Sequence, residues 1–177
     1  MPEDKKESKV LYAKVDGDIV VIKIVGRGNF NLSPRLKMVV DKFTDGNASP
    51  RFLIDLEECP TLDSTFMGVM AAVGMKQKRE TDQRLKVLHS NRTTESQMEK
   101  LGLRHILDIR PSGNGVHVGD EDFKAAERGK QSRLDQMVHM IESHQALIDA
   151  HSGNELEFRN VLDNLTAGVE AEKKNRN

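Results

Sequence analysis

The fold is organised around one stretch of sequence, Leu53-Ile54-Asp55-Leu56-Glu57-Glu58-Cys59-Pro60-Thr61-Leu62-Asp63-Ser64-Thr65-Phe66-Met67-Gly68. An apolar run at its start predicts a buried strand, and a polar turn follows that run. The oxygen-rich cluster Asp63-Ser64-Thr65 then opens a predicted helix. Backbone N–H groups are unpaired at a helix start and the helix dipole favours negative charge there, so this turn is a candidate functional site.

Outward from this turn, the chain alternates between β-branched strand patterns and amphipathic helix patterns. The predicted order over residues 9–110 is β-β-α-β-α-β-α, with a hairpin first. The apolar pieces that define it are Val10–Val15, Ile19–Val25, Leu32–Phe43, Phe52–Leu56, Ser64–Arg79, Arg84–His89, Thr93–Leu101 and Leu103–Ile109. A hairpin followed by alternation predicts an α/β domain, a mixed sheet of four to five strands with helices.

The remaining segments are assigned by composition. Residues 1–8 and 173–177 are predicted to be flexible polar tails, and the glycine-rich stretch 111–119 is predicted to be a linker. Residues 120–172 carry two apolar stripes at helical spacing, which predict a C-terminal helical hairpin.

Composition argues against several classes of function. The 177-residue chain has a net charge of −1 and no tryptophan, so neither the basic surface nor the stacking platforms of a nucleic-acid binder are expected. The single cysteine, Cys59, cannot form an intrachain disulfide and fits a reducing compartment. The charged N-terminus does not read as a signal peptide, and the longest apolar run, Phe66–Met75, is too short to span a bilayer. We therefore expect a cytoplasmic protein without membrane insertion.

Ser64 has three interpretations from its residues alone. It can be a helix N-cap, it can be a nucleophile, or it can accept a phosphate that the helix start would stabilise. The nucleophile is disfavoured because Gly-x-Ser-x-Gly is absent and no histidine lies nearby in sequence. The cap and the phosphorylation switch are equally compatible with the residues.

The other residues that could take part in chemistry are interpreted as structural. Gly26-Arg27-Gly28 lacks the third glycine of a dinucleotide loop, so a tight strand exit is favoured. Glu57 and Glu58 are adjacent at a strand end and should point to opposite faces. The histidines lack ligand spacing and are interpreted as solvated; they are His89, His105, His117, His139, His144 and His151. We predict no enzyme activity, no metal and no cofactor.

Residues 9–109 resemble the STAS domain, the fold of sulfate transporters and anti-sigma-factor antagonists. The elements that carry the resemblance are Phe52–Leu56, then Leu62-Asp63-Ser64-Thr65 with Gly68, Arg84–Leu88, Leu101-Gly102-Leu103 with Ile106 and Ile109, and the early turn Gly26–Asn29. The aspartate followed by two hydroxyl residues is the most specific of them.

The resemblance implies a bacterial anti-sigma-factor antagonist that acts by partner switching. In that family the unphosphorylated protein binds an anti-sigma factor serine kinase and is released on phosphorylation, and a PP2C-type phosphatase restores it. Ser64 falls on the phosphorylated position, with Thr65 as a reserve. By position, the residues implied in partner binding are Asn29, Asn31, Thr61, Asp63, Ser64, Thr65, Phe66 and Met67.

Three departures from the family pattern keep a second function open. Phe66 replaces a common glycine, and an exposed ring there would reshape the docking surface. Asn29 stands where the family often has aspartate. The helical hairpin, which could pack on the domain, form a homodimer or recruit a partner, lies outside the usual short antagonist. The alternative is therefore a constitutive STAS scaffold subunit of a stressosome-like or lipid-transport complex.

Overall fold

The computed structural model of the chain describes residues 7–46, 49–113 and 116–175. Parts of the predicted tails, of the linker and of the turn after the first helix therefore lie outside the described residues, at 1–6, 176–177, 114–115 and 47–48. Among the described residues, no helix combines the length and apolar character needed to cross a membrane.

The predicted α/β class is confirmed by a mixed sheet with helices packed on it. The strands are β1 (Lys9–Val15), β2 (Ile19–Val25), β3 (Arg51–Asp55), β4 (Leu85–Leu88), β5 (Leu107–Arg110) and β6 (Lys124–Ala125). The helices are α1 (Ser33–Thr44), α2 (Ser64–Thr81), α3 (Arg92–Lys100), α4 (Arg133–Ala150) and α5 (Glu155–Asn175). The strand order is β5-β4-β3-β2-β1-β6, with β1 antiparallel to both of its neighbours and the other pairs parallel.

Alternation along the central strands separates two faces of the sheet. Ile22 pairs with Ile54, and Ile54 pairs with Val87, so these three fully buried side chains share the face that packs in the main core. Val21 and Leu53 occupy the opposite face, where Val21 lines a cavity together with residues of segment 116–123. The sheet is therefore covered on its second face by the chain that follows β5.

The sixth strand was not predicted from the sequence. β6 pairs Leu11 with Ala125 and Tyr12 with Lys124, inside a stretch assigned to the helical hairpin. A strand of two residues has no periodicity to detect. The first helix of the hairpin begins at Arg133, where Ser132 and Asp135 form a capping box.

Helix α4 packs directly on α2, and Gly68 sets how closely the two helices approach. A Cβ atom at Gly68 would lie 2.1 Å from the carbonyl oxygen of Ser143 in α4, closer than any side-chain carbon can come. Helix α5 folds back on α4, and the junction is tied to the domain because Asn154 Nδ2 donates to the carbonyl oxygens of Leu101 and Leu147. The hairpin thus packs on its own domain.

Candidate functional site at the start of helix α2

Asp63 is the residue that caps α2. Its Oδ1 accepts from the Phe66 N–H at 2.8 Å, and its Oδ2 accepts from the Phe30 N–H at 2.7 Å in the loop before α1. The backbone of the same turn is pinned to that loop, since Asp63 N–H donates to the Gly28 carbonyl at 2.8 Å. The capping role considered for Ser64 therefore belongs to Asp63, and the Ser64 hydroxyl is available for another contact.

That contact is a histidine from the C-terminal hairpin. Ser64 Oγ lies 3.0 Å from His144 Nε2, and His144 Nδ1 lies 2.7 Å from the carbonyl oxygen of Met140. A carbonyl can only accept, so Nδ1 carries the proton and, in the neutral ring, Nε2 is the acceptor. The Ser64 hydroxyl therefore donates to His144, whose exposed fraction is 3%.

A second serine and histidine pair lies at the start of α1. Ser33 Oγ donates to the Phe30 carbonyl at 3.1 Å and lies 2.8 Å from His139 Nε2, so the imidazole N–H donates to Ser33. Burial lowers the pKa of His139, Lys37 lowers it further, and Glu142 opposes the shift. The prediction that these α4 histidines are solvated was wrong for both His139 and His144.

The residues implied in partner binding divide into two groups. Asn29, Asn31, Thr61, Asp63 and Ser64 are exposed or half-exposed and surround the turn, whereas Thr65, Phe66 and Met67 are buried. The exposed ring expected at Phe66 is absent, because Phe66 packs beneath Gly28 in the core. The exposed aromatic ring near this turn is Phe30, at 45% exposure, which the sequence reasoning missed.

The Ser64–His144 pair has the polarity of a nucleophile beside a base, which sequence proximity could not show. A nucleophile also needs a cavity for its substrate. The neighbouring groove against α4 has a volume of about 180 Å³ and is lined by Gly68, His139 and Ser143, but not by Ser64. The geometry therefore favours a structural hydrogen bond of the Ser64 hydroxyl over a role for this hydroxyl in a substrate-binding site.

One cluster of potential metal ligands lies at the opposite face of the sheet. Within the described ranges, Asp55, Glu57 and His89 place one ligand atom each within 4.8 Å of one another. Asp55 Oδ1 already accepts from His89 Nδ1 and from the Glu57 N–H, each at 2.9 Å. Glu58 pairs instead with Lys23 and, mainly through that hydrogen bond, raises the lysine's pKa. Glu57 and Glu58 lie in a turn after β3 and not on the strand, so the expectation that they point to opposite faces of a strand does not apply to them.

Comparison with known proteins finds a likeness among solved structures, seven chains of which match. No protein-family model and no curated protein match the chain. Among solved structures, the fold is similar to that of a candidate anti-sigma factor antagonist from Thermotoga maritima, with 18% sequence identity and a TM-score of 0.49. The aligned region covers 56% of this chain and 83% of that protein.

Proposed function

We propose that this chain is a bacterial, cytoplasmic, non-enzymatic regulator of the STAS type, an anti-sigma-factor antagonist that acts by partner switching. The observation that carries the proposal is the position of Ser64, a half-exposed residue that begins α2 beside the capping carboxylate of Asp63. Backbone N–H groups of a first helical turn and the helix dipole stabilise a phosphate at this position.

In the proposed cycle, the unphosphorylated turn binds an anti-sigma factor serine kinase. The accessible side chains of Asn29, Asn31 and Thr61 and the exposed ring of Phe30 form the contact surface around Ser64. A phosphate adds a charge of about −1.5 to −2 beside the Asp63 carboxylate. The resulting negative patch expels the kinase, and a PP2C-type phosphatase restores the binding form.

Ser64 is the acceptor in this proposal, and Thr65 is not expected to be modified in the folded state. Thr65 is 2% exposed, so its hydroxyl is out of reach of a kinase active site without unfolding of the helix start. The two adjacent hydroxyl residues, which the sequence pattern treats alike, therefore differ in access.

The test is a phosphorylation assay with ATP and a serine kinase encoded next to this chain. We expect one phosphate on Ser64, located by mass spectrometry, and none in Ser64→Ala. Thr93→Ala is the matched control, because Thr93 is an exposed hydroxyl in the first turn of α3. Ser64→Asp should weaken kinase binding at least tenfold, and unchanged binding together with an unmodified Ser64 would refute the proposal.

A second candidate function is favoured by a specific observation, the packing of α4 on α2 next to Ser64. In a constitutive scaffold subunit, the hairpin would be a permanent part of the domain and Ser64 a structural residue. This candidate predicts that Ser64→Asp leaves partner capture unchanged.

The homodimer through the hairpin also stays a prediction. Leu156 on α5 is 86% exposed, and size-exclusion chromatography of Leu156→Lys measures its contribution to dimer formation.

A further inference from the structure

We propose that α4 is a gate over Ser64: while α4 is docked on α2 the hydroxyl cannot be modified, and Ser64 becomes an acceptor only when α4 moves away. This inference rests on the proposed function for its biological role. Its structural part, access to position 64, can be measured without any kinase.

The proton of the Ser64 hydroxyl is already used in a hydrogen bond. In the docked state Ser64 donates this proton to His144, and the buried imidazole occupies the side from which a catalytic base would have to approach. Phosphoryl transfer requires that the Ser64 Oγ–P bond forms, that the bond from the ATP γ-phosphorus to ADP breaks, and that the kinase base takes the proton. His144 therefore occupies the position that the catalytic base of the kinase would need.

The surroundings of the His144 ring also oppose a modification of Ser64. The His144 ring is packed between α2 and Phe158 of α5, with its centroid 5.0 Å from that of the phenylalanine ring. A phosphate on Ser64 would replace the proton that the hydroxyl donates to His144, so the contact at 3.0 Å would be lost. Modification and docking of α4 thus oppose each other, and each should weaken the other by the same factor.

Helix α4 is attached by side-chain packing and a few hydrogen bonds and pairs with none of the strands in the described residues. Its Leu147 and Ala150 side chains join the main core, so its opening exposes apolar surface. Its N-terminal half is held to α1 by the Ser33–His139 hydrogen bond, and its C-terminal end by Asn154.

Helix α4 follows β6 through residues 127–132, which are exposed or half-exposed and precede the helix without regular structure. The groove beside Gly68 leaves the interface incompletely filled. Opening α4 would therefore leave the strand pairings in place.

Gly68→Ala is the variant that opens the gate without touching Ser64 or His144. The added methyl group meets the Ser143 backbone at 2.1 Å, whereas alanine itself favours helix α2. Gly74→Ala is the matched control in the same helix, because its nearest neighbour is a leucine side chain at 3.1 Å that can shift. Hydrogen exchange over residues 133–150 reports how far each variant undocks α4.

Access to position 64 can be measured with a cysteine placed there. In a Cys59→Ala background, Ser64→Cys should react slowly with a maleimide. Adding Gly68→Ala should raise the labelling rate about tenfold, and the rate of hydrogen exchange in α4 should rise by the same factor. A faster exchange with an unchanged labelling rate would overturn the gate. If Gly68→Ala does not fold, Asn154→Ala loosens α4 from its other end and the same proportionality is required.

The kinase assay then separates the gate from the proposed function. With the gate and the function both correct, Gly68→Ala raises the rate of Ser64 phosphorylation by the factor seen in labelling, and Gly74→Ala does not. Labelling that responds to Gly68→Ala while Ser64 is never phosphorylated supports the gate and refutes the kinase partnership. Phosphorylation at an equal rate in wild type and Gly68→Ala refutes the gate alone.

Discussion

At the residue scale, Asp63 and Ser64 perform two different tasks at one helix start. Asp63 satisfies a backbone donor of α2 and another in the loop before α1, which fixes the turn. Ser64 makes no cap and instead joins α2 to α4 through its hydroxyl. An aspartate followed by a serine can thus provide both a helix cap and a phosphate acceptor, because the aspartate is the cap and the adjacent serine carries the hydroxyl.

Asp63→Ala should destabilise the domain by about 1–3 kcal/mol, because it removes a cap and leaves the Phe30 N–H without its acceptor. Asp63→Asn is the matched control, since its amide retains one acceptor oxygen and should cost less. Urea unfolding followed by circular dichroism measures both. Equal losses in the two variants would show that charge, and not the two hydrogen bonds, provides the stabilisation.

A double-mutant cycle measures the hydrogen bond between Ser64 and His144. Ser64→Ala leaves a buried imidazole acceptor without a donor and should cost about 1–3 kcal/mol. With His144→Ala already present, the same substitution should cost less, because the acceptor is gone. Additive losses of unfolding free energy would contradict the contact.

His139 should make stability depend on pH. Its folded pKa lies below the ordinary value of 6.5, so the unfolded chain binds more protons and stability falls as pH drops below about 6.5. The slope from this group is at most about 1.4 kcal/mol per pH unit. Urea midpoints at about pH 7.5 and pH 5.5 should differ less in His139→Gln than in wild type. The exposed His105→Gln is the control and should retain the wild-type difference.

Sequence reasoning reached Asp63 and Ser64 because a helix start is determined by neighbours in the chain. It could not reach His144, which lies 80 positions away and becomes a partner only through the packing of α4 on α2. The same limit explains Phe66, whose burial depends on the approach of Gly28 across the turn. Local chemistry was readable from the sequence, and the contacts between distant segments were not.

At the element scale, a buried amide adds a hydrogen-bonded link between the helical hairpin and the domain, beside the packing of α4 on α2. Asn154 Nδ2 donates to Leu101 at 3.0 Å and to Leu147 at 2.8 Å, which links the α4–α5 junction to the end of α3. Both acceptors are backbone carbonyl groups, so no other side chain needs to change for the link to break. This link between the junction and α3 therefore depends on a single side chain.

Asn154→Ala should cost about 1–3 kcal/mol, because two carbonyl groups at a buried site lose the amide donor, although the Leu147 carbonyl keeps its bond from the His151 N–H. Hydrogen exchange should increase in residues 141–160 and stay at its wild-type rate in β2 and β3. Asn91→Ala is a control of the same type, since Asn91 caps α3 away from the hairpin. Faster exchange spread uniformly over the sheet would contradict a local role.

Elements were predictable where they are long enough to show a period. The two β-branched strands of the first hairpin and the apolar run of β3 were found for this reason. β6 has only two residues, and it owes its conformation to pairing with Leu11 and Tyr12. The start of α4 at Arg133 is fixed by the capping box of Ser132 and Asp135, a signal that the sequence reasoning did not use.

At the scale of the whole molecule, Cys59 provides a probe of folding. The thiol is buried beneath the Ser64 turn, and burial raises its pKa, so the reactive thiolate is rare and inaccessible. Reaction with a disulfide reagent at about pH 8 should be far slower than for a free cysteine, whose pKa is ~8.5, and should become fast across the urea transition. Rapid labelling of the native protein would show that this turn opens on its own.

The two edges of the sheet determine how the molecule behaves at high concentration. An unpaired strand edge is a template for pairing with another chain and hence for aggregation. β6 occupies part of the outer edge of β1, and Ala126 N–H extends the cover by donating to the Val10 carbonyl at 2.8 Å. At the other edge, β5 is short and carries the Asp108–Arg110 ion pair, which disfavours such pairing. β6, a strand of two residues that no sequence pattern revealed, thus protects the edge of β1 against pairing with another chain. Its loss would first appear as aggregation.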